Sequence, residues 1–396
     1  MTSSTPNEPA DDVSLSWGLA DGDAPSAAPP TPLQPLEAPD VLMGRVVGGI
    51  HDSLPSAWSY FTVEIGIAGD EHRTRGAAEM PDGRLLPLSL TEDQLLALAT
   101  HRQLTVEPVP WMWLRITQNR GMHPEVTGFD GFVGAPPEHL LFPPAAYRAD
   151  ISMSDDVAKP LWLLAHVNGS SERQLRSATV AASATPADCV HPRDELPPLT
   201  LLWPRFAALS AIFAAVNAFD GPRMSAATGV FRGERGGCTL SRLPGGRAVL
   251  SGGADHSALM TAAYLGEIES PDLYRGAPAW VNNLVLDERA AAGMLTFCYW
   301  GTGTRWSRAE LAGPEGWTAV DDLVPAVPGV WTSRSTATLI AETLRQAGIE
   351  VNDSDAVDYV AQVTGGNPRP DLLLALPASR ASVAEGLAVL DVAQSW

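Results

Sequence analysis

The sequence predicts an α+β fold: two sheet-containing domains with antiparallel hairpins and packed helices, followed by a helical C-terminal segment. Three observations predict it. Two separated stretches alternate apolar and polar residues at the period of a half-buried strand, "WSYFTVEIGIAG" and "WMWLRITQNRG". Glycine- and proline-rich turns punctuate a second alternating region, at Gly233 to Gly237 and at Pro244-Gly245-Gly246, which is the signature of consecutive hairpins. The remaining apolar runs, among them "FAALSAIFAAVNAF" and the last 70 or so residues, carry helical spacing.

Residues 1–40 hold eight prolines, seven acids and no basic residue, a mixture that buries too little apolar surface to offset ordering, so a disordered acidic tail is expected there. The first domain is read over 41–168. A short helix precedes the Leu54-Pro55 turn, and a strand follows with Tyr60, Thr62, Glu64 and Gly66 on one face and Phe61, Val63, Ile65 and Ile67 on the other. The polar residues Asp70 to Arg75 read as a turn, and Ala77 to Met80 as the returning strand. Thr91 and Gln94 stand in capping-box spacing before a helix over about 92–103. Next comes a strand with Trp111, Trp113, Arg115 and Thr117 on one face, turning at Asn119 to Gly121. "KPLWLLAHV" reads as one more candidate strand.

A Ser, Thr, Ala and Pro-containing linker is placed at 169–198 and the second domain at 199–327. That domain opens with the Phe206 helix and continues with the two hairpins. "WVNNLVL" and "MLTFCYW" are read as strands around an Asp287 to Gly293 turn. The segment 328–396 is read as helices over 339–346, 356–363 and 383–392. Both domains place a Pro shortly before a Trp (Trp58, Trp280) and a strand, a layout consistent with duplication.

With 26 Lys+Arg against 46 Asp+Glu the formal charge is −20, and setting aside the seven acids of the tail leaves −13. Nucleic acid and anionic membrane are therefore excluded as partners, whereas a basic protein would be steered in. Cys189, Cys238 and Cys298 are an odd, widely spaced set with no C-x-x-C, which argues for reduced thiols rather than disulfides or zinc. No Lys or Arg precedes Arg45 and no apolar run has spanning length, so a cytoplasmic location is expected. The glycines of "RGERGG" lack P-loop spacing, and no histidine sits in a metal-binding pattern, so no cofactor or metal is expected.

Asp255, His256 and Ser257 stand side by side after the second hairpin. Adjacent strand residues point to opposite faces, so they do not form one relay, and Asp255 is read as the cap of a following helix. Binding is read instead at Trp113 with Arg115 and at Trp306 between Arg305 and Arg308, with Glu64, Asp70, Glu71, Asp287 and Glu288 as an acidic rim. Trp and Arg are the residues most enriched at binding hot spots.

The order helix, "LPSAW", strand, acidic turn, strand, helix, then "PWMWLRITQNRGMHPEVTGFD" ending in Phe129-Asp130, resembles the YezG-like immunity proteins. These are small α+β proteins that neutralise secreted bacterial polymorphic toxins. The resemblance, carried by the first domain alone, implies a non-catalytic module that occludes a basic toxin or effector. Two other readings stay open: a secretion-associated chaperone holding an effector segment in an apolar groove, and a hydrolase using His256 or His123.

Overall fold

The computed structural model describes residues 37–105, 111–129, 131, 135–152, 159–168, 174, 189–218, 220–302 and 305–394. The acidic tail up to residue 36 and most of the linker lie outside them. The described chain is α+β, with two all-antiparallel sheets of five and seven strands and eleven helices.

The first sheet is ordered β3-β2-β1-β4-β5, with β1 Tyr60–Ala68 at its centre, β2 Glu71–Glu79, β3 Leu85–Leu88, β4 Trp113–Asn119 and β5 Glu125–Phe129. The predicted alternation of β1 sends Phe61, Val63, Ile65 and Ile67 inward. They join Leu114 and Ile116 against Leu42, Val46, Val47 and Ile50 of helix α1 (Pro39–Ser53) and Leu98 of α2 (Glu92–Leu104). The capping box at α2 is present as read: Thr91 accepts from the Gln94 amide and Gln94 accepts from the Thr91 amide. Glu71 to Arg75 corrects the sequence reading, for these residues are strand and the turn shrinks to Gly69-Asp70. A nine-residue β1 recruits a partner of equal length through backbone hydrogen bonds, whatever the polarity of side chains that face water. "KPLWLLAHV" is helix α4 (Leu161–Asn168), after α3 (Pro144–Ser152); a continuous apolar run does not distinguish a buried strand from a buried helix.

The second sheet is ordered β6-β12-β11-β10-β9-β8-β7. Its middle is the pair of hairpins read from sequence, β8 Thr228–Gly233, β9 Gly236–Leu243 and β10 Arg247–Ala254, extended by β11 Phe297–Thr302 and β12 Arg305–Ala309. The outermost strands are short, β6 Cys189–Val190 and β7 Arg223–Met224. Both faces are covered. Ala248, Leu250, Phe297 and Tyr299 pack on α5 (Leu199–Ala215) and the C-terminal helices, while Val249, Cys298 and Trp300 pack on Leu259, Tyr274 and Val281. Helices α6 (Ala258–Leu265) and α7 (Ala319–Leu323) flank the sheet, and α8 (Ser333–Gln346), α9 (Asp353–Thr364), α10 (Asp371–Leu374) and α11 (Val383–Gln394) complete the chain. These last helices share one core with α5: Tyr359 Oη donates to the Ala208 carbonyl and Trp203 Nε1 to that of Ala393.

"WVNNLVL" is not a strand. Asn282 caps a 3-10 turn at Asn283–Val285, and Val281, Val285 and Leu286 go inward at helical rather than alternating spacing. Trp280 therefore precedes a turn whereas Trp58 precedes β1, and the shared layout behind the duplication reading is lost. No helix among the described residues is long and apolar enough to cross a membrane.

Candidate functional site

Two places gather the residues singled out in the sequence. The first is the face of the five-stranded sheet turned away from α1 and α2. Register sets Glu64 opposite Arg75 on one side and Arg115 on the other, with Thr127 beyond, so an Arg-Glu-Arg row crosses the sheet. Arg115 donates to Glu64 Oε1 through Nη2 at 2.8 Å and Nε at 3.1 Å, and His139 Nε2 meets Glu64 Oε2 at 2.8 Å. Burial pushes the Glu64 carboxyl up, but the hydrogen bonds and charges of Arg115 and His139 outweigh it, leaving the pKa below the ordinary value. Beside them Trp113 stacks on Phe129 with centroids 3.7 Å apart, and the Arg115 guanidinium lies 5.4 Å from the Trp113 ring. Trp113 is only 8% exposed, so it supports this surface from beneath and Arg115 is what a partner would meet. Asp70 and Glu71, exposed at the tip of the β1–β2 turn, and Glu79 and Glu125, exposed at the opposite end, form a rim. Asp130 lies outside the described residues.

The second place is a cleft of about 370 Å³ where α4 meets the seven-stranded sheet. Its polar wall carries Arg232, Asp255, Glu288 and Arg289; its apolar wall carries Pro160, Leu161, Trp162, Ala292 and Met294. Beneath the polar wall lies Asp287, whose side chain is 0% exposed. It accepts from Arg232 Nη1 at 3.0 Å, Thr239 Oγ1 at 2.7 Å and the Arg289 amide at 3.0 Å. Arg232 Nε reaches Glu288 at 3.0 Å, and Arg289 Nη2 reaches Asp255 at 3.3 Å. Arg289 lies against Gly237 of β9 and Gly253 of β10, where backbone already crowds the sheet: a Cβ at Gly237 would stand 2.5 Å from the Phe231 carbonyl oxygen and 2.7 Å from Arg289 Nη1, and one at Gly253 would collide with the Met294 carbonyl oxygen and stand 3.1 Å from Arg289 Cδ. Burial raises the Asp255 pKa, and Arg289 offsets only part of that shift.

Several sequence readings change here. Trp306 is 4% exposed in the core, with its indole N–H donated to the Pro197 carbonyl at 2.8 Å, so it is not a surface anchor. Asp287 is an internal acceptor rather than part of a solvated rim, because its neighbours Arg232 and Thr239 close over it; Glu288, 76% exposed, remains at the surface. Asp255 does not cap α6. Ser257 does, accepting from the Met260 amide at 3.2 Å, while Asp255 binds Arg289 and His256 is exposed, so the contiguous trio diverges. His123 is exposed at the β4–β5 turn. Arg232 and Arg289 escaped the sequence reading, though a signal existed: glycines paired in register on adjacent strands, Gly237 opposite Gly253, mark where something must lie close across a sheet.

No protein-family model matches this chain, and no curated protein matches it as a relative.

Proposed function

We propose that this protein is a non-catalytic binding module that recognises another protein through the part of the outer face of its five-stranded sheet that residues 139–142 leave open, acting as an immunity protein that occludes a basic toxin. The observation that carries this reading is the Arg115 guanidinium, fixed by Glu64 above the Trp113–Phe129 stack on the outer sheet face. An arginine already ordered in the free protein loses little rotamer freedom on binding, which is how a few side chains come to dominate an interface. The acidic rim of Asp70, Glu71, Glu79 and Glu125 and the net charge of −20 favour encounter with a basic partner. Arg115 then supplies the central contact to a carboxylate or carbonyl of that partner.

A second reading has its own observation. A groove of about 650 Å³ between β8 and α8 is lined by Phe231, Val327, Trp331 and Leu339, the kind of surface a chaperone uses for an effector segment. The two separate by mutation. Arg115→Glu should abolish binding to a toxin encoded beside the gene and leave the fold intact, whereas a chaperone would lose its client on changing Trp331 and be indifferent to Arg115.

A further inference from the structure

The geometry points to the cleft between α4 and the seven-stranded sheet as a binding site for a small zwitterion, an α-amino acid with an apolar side chain. It stands apart from the protein-binding reading, since the cleft's polar wall and the open face belong to different sheets.

The charged residues of the cleft leave unused hydrogen-bonding capacity of both kinds. Among the described residues Asp255 accepts from Arg289 through Oδ1 and Glu288 from Arg232 through Oε1, which leaves Asp255 Oδ2 and Glu288 Oε2 as acceptors. Among the described residues Arg232 spends Nε and Nη1 on protein oxygens and keeps Nη2; Arg289 spends Nη2, and its Nη1 stands 4.0 Å from Asp287, beyond hydrogen-bond reach. Two anionic acceptors and two cationic donors thus line one cavity.

This mixture selects by charge. A simple anion drawn to Arg232 and Arg289 would face Asp255 and Glu288, and a simple cation drawn to the carboxylates would face both guanidiniums. A ligand carrying both charges close together satisfies the two pairs at once. In an α-amino acid the ammonium nitrogen and carboxylate carbon are about 2.5 Å apart by standard backbone dimensions. The ligand carboxylate would take Arg232 Nη2 and Arg289 Nη1, and its ammonium Asp255 Oδ2 and Glu288 Oε2. Leu161, Trp162, Ala292 and Met294, which also line the cleft, would take an apolar side chain. The volume, about 370 Å³, is at the small end of the range for small-molecule sites.

Stability alone does not account for the arrangement. Buried ion pairs are commonly no more stabilising than the apolar residues that could replace them. Here Asp287 is wholly interior and Arg289 largely so, with Arg289 Nε buried and without a hydrogen-bond partner among the described residues.

The test is calorimetric titration of the full chain with L-phenylalanine and L-leucine, beside phenylalaninamide, which lacks the carboxylate, N-acetylphenylalanine, which lacks the ammonium, and inorganic phosphate. One of the two amino acids should bind with a dissociation constant below about 1 mM, and each control at least about tenfold more weakly. Asp255→Asn should weaken the amino acid about tenfold or more. Ala292→Phe, at an exposed position on the apolar wall, should remove binding while leaving the melting temperature unchanged. The proposal is overturned if neither amino acid binds at about 10 mM, if the amide, the acetyl compound or phosphate binds as tightly as the zwitterion, or if folded Ala292→Phe binds as before.

Discussion

Replacing Asp322 by Asn should make the protein more stable at neutral pH relative to acid, in a way the structure allows to be worked out. Asp322, at the end of α7, is buried; it accepts the Trp317 indole N–H at 3.0 Å and hydrogen-bonds to Ser257, the cap of α6. Burial outweighs these bonds and moves the carboxyl from 3.8 up to about 6. Ionising it in place therefore costs about 3 kcal/mol more than in the unfolded chain, at about 1.4 kcal/mol per pKa unit. The sign follows from proton binding: between the two values the folded state holds the proton that the unfolded state has released, so this group's contribution is full below about 4 and is lost as pH rises through about 6. Of that total, about 1.4 kcal/mol falls between pH 5 and 7.5, a window that keeps an acidic chain well charged. Urea unfolding of the parent and Asp322→Asn at several pH values across this window measures it directly. The amide's one lost acceptor shifts the difference between the two proteins by a constant of about 1 kcal/mol; the titration tilts it by about 1.4 kcal/mol in favour of Asn as pH rises. A difference that stays flat from pH 5 to 7.5 would refute the reasoning, because it would mean Asp322 titrates alike in both states.

Trp306→Ala should cost about 3–5 kcal/mol in the same unfolding assay, as expected for emptying a core site and breaking the bond to the Pro197 carbonyl; a cost under about 1 kcal/mol would return Trp306 to the surface. Burial raises the Cys238 and Cys298 thiol pKa values far above ordinary, while Cys189 is half-exposed, so a thiol reagent at neutral pH should modify Cys189 alone in the native protein and all three after unfolding. Mass spectrometry of the labelled peptides reads the outcome, and native labelling of Cys238 or Cys298 would contradict the packing of β9 and β11.

What the sequence disclosed and what it hid divide along local and non-local physics. The alternation from Tyr60 to Ile67, the Thr91-Gln94 box and the turn at Pro244 to Gly246 are set by neighbours in the chain and appear where expected. Glu71 to Arg75 reads as a turn because the residues are polar, yet a strand whose side chains meet water needs no apolar residues when its backbone is paired. Trp113 and Arg115 were found as a pair, but the Glu64 that orients Arg115 and the His139 that shares it become visible only through register and the path of the chain after β5. The cleft was the least legible. Arg232 on β8, Asp255 at the end of β10 and Arg289 on a 3-10 turn lie far apart in sequence, and a reading that treats Asp287 and Glu288 as solvated turn residues misses that one of them is the buried anchor of the rest.

The most direct measurement is protection of growing cells from a toxin encoded beside the gene, paired with the affinity of the purified complex, for the parent chain and for Arg115→Glu. The carboxylate substituted at this position would face Glu64, whose partnership with Arg115 it also removes, so the surface is inverted at its centre while the core behind it is kept. Unfolding curves that match the parent within about 1 kcal/mol establish that only the surface has changed. The account predicts protection by the parent chain, its loss in Arg115→Glu, and a fall in affinity of at least about a hundredfold, about 3 kcal/mol, with association in the parent slowing as salt rises. Protection and affinity retained in folded Arg115→Glu would contradict it, since the open sheet face would then not be where the partner binds.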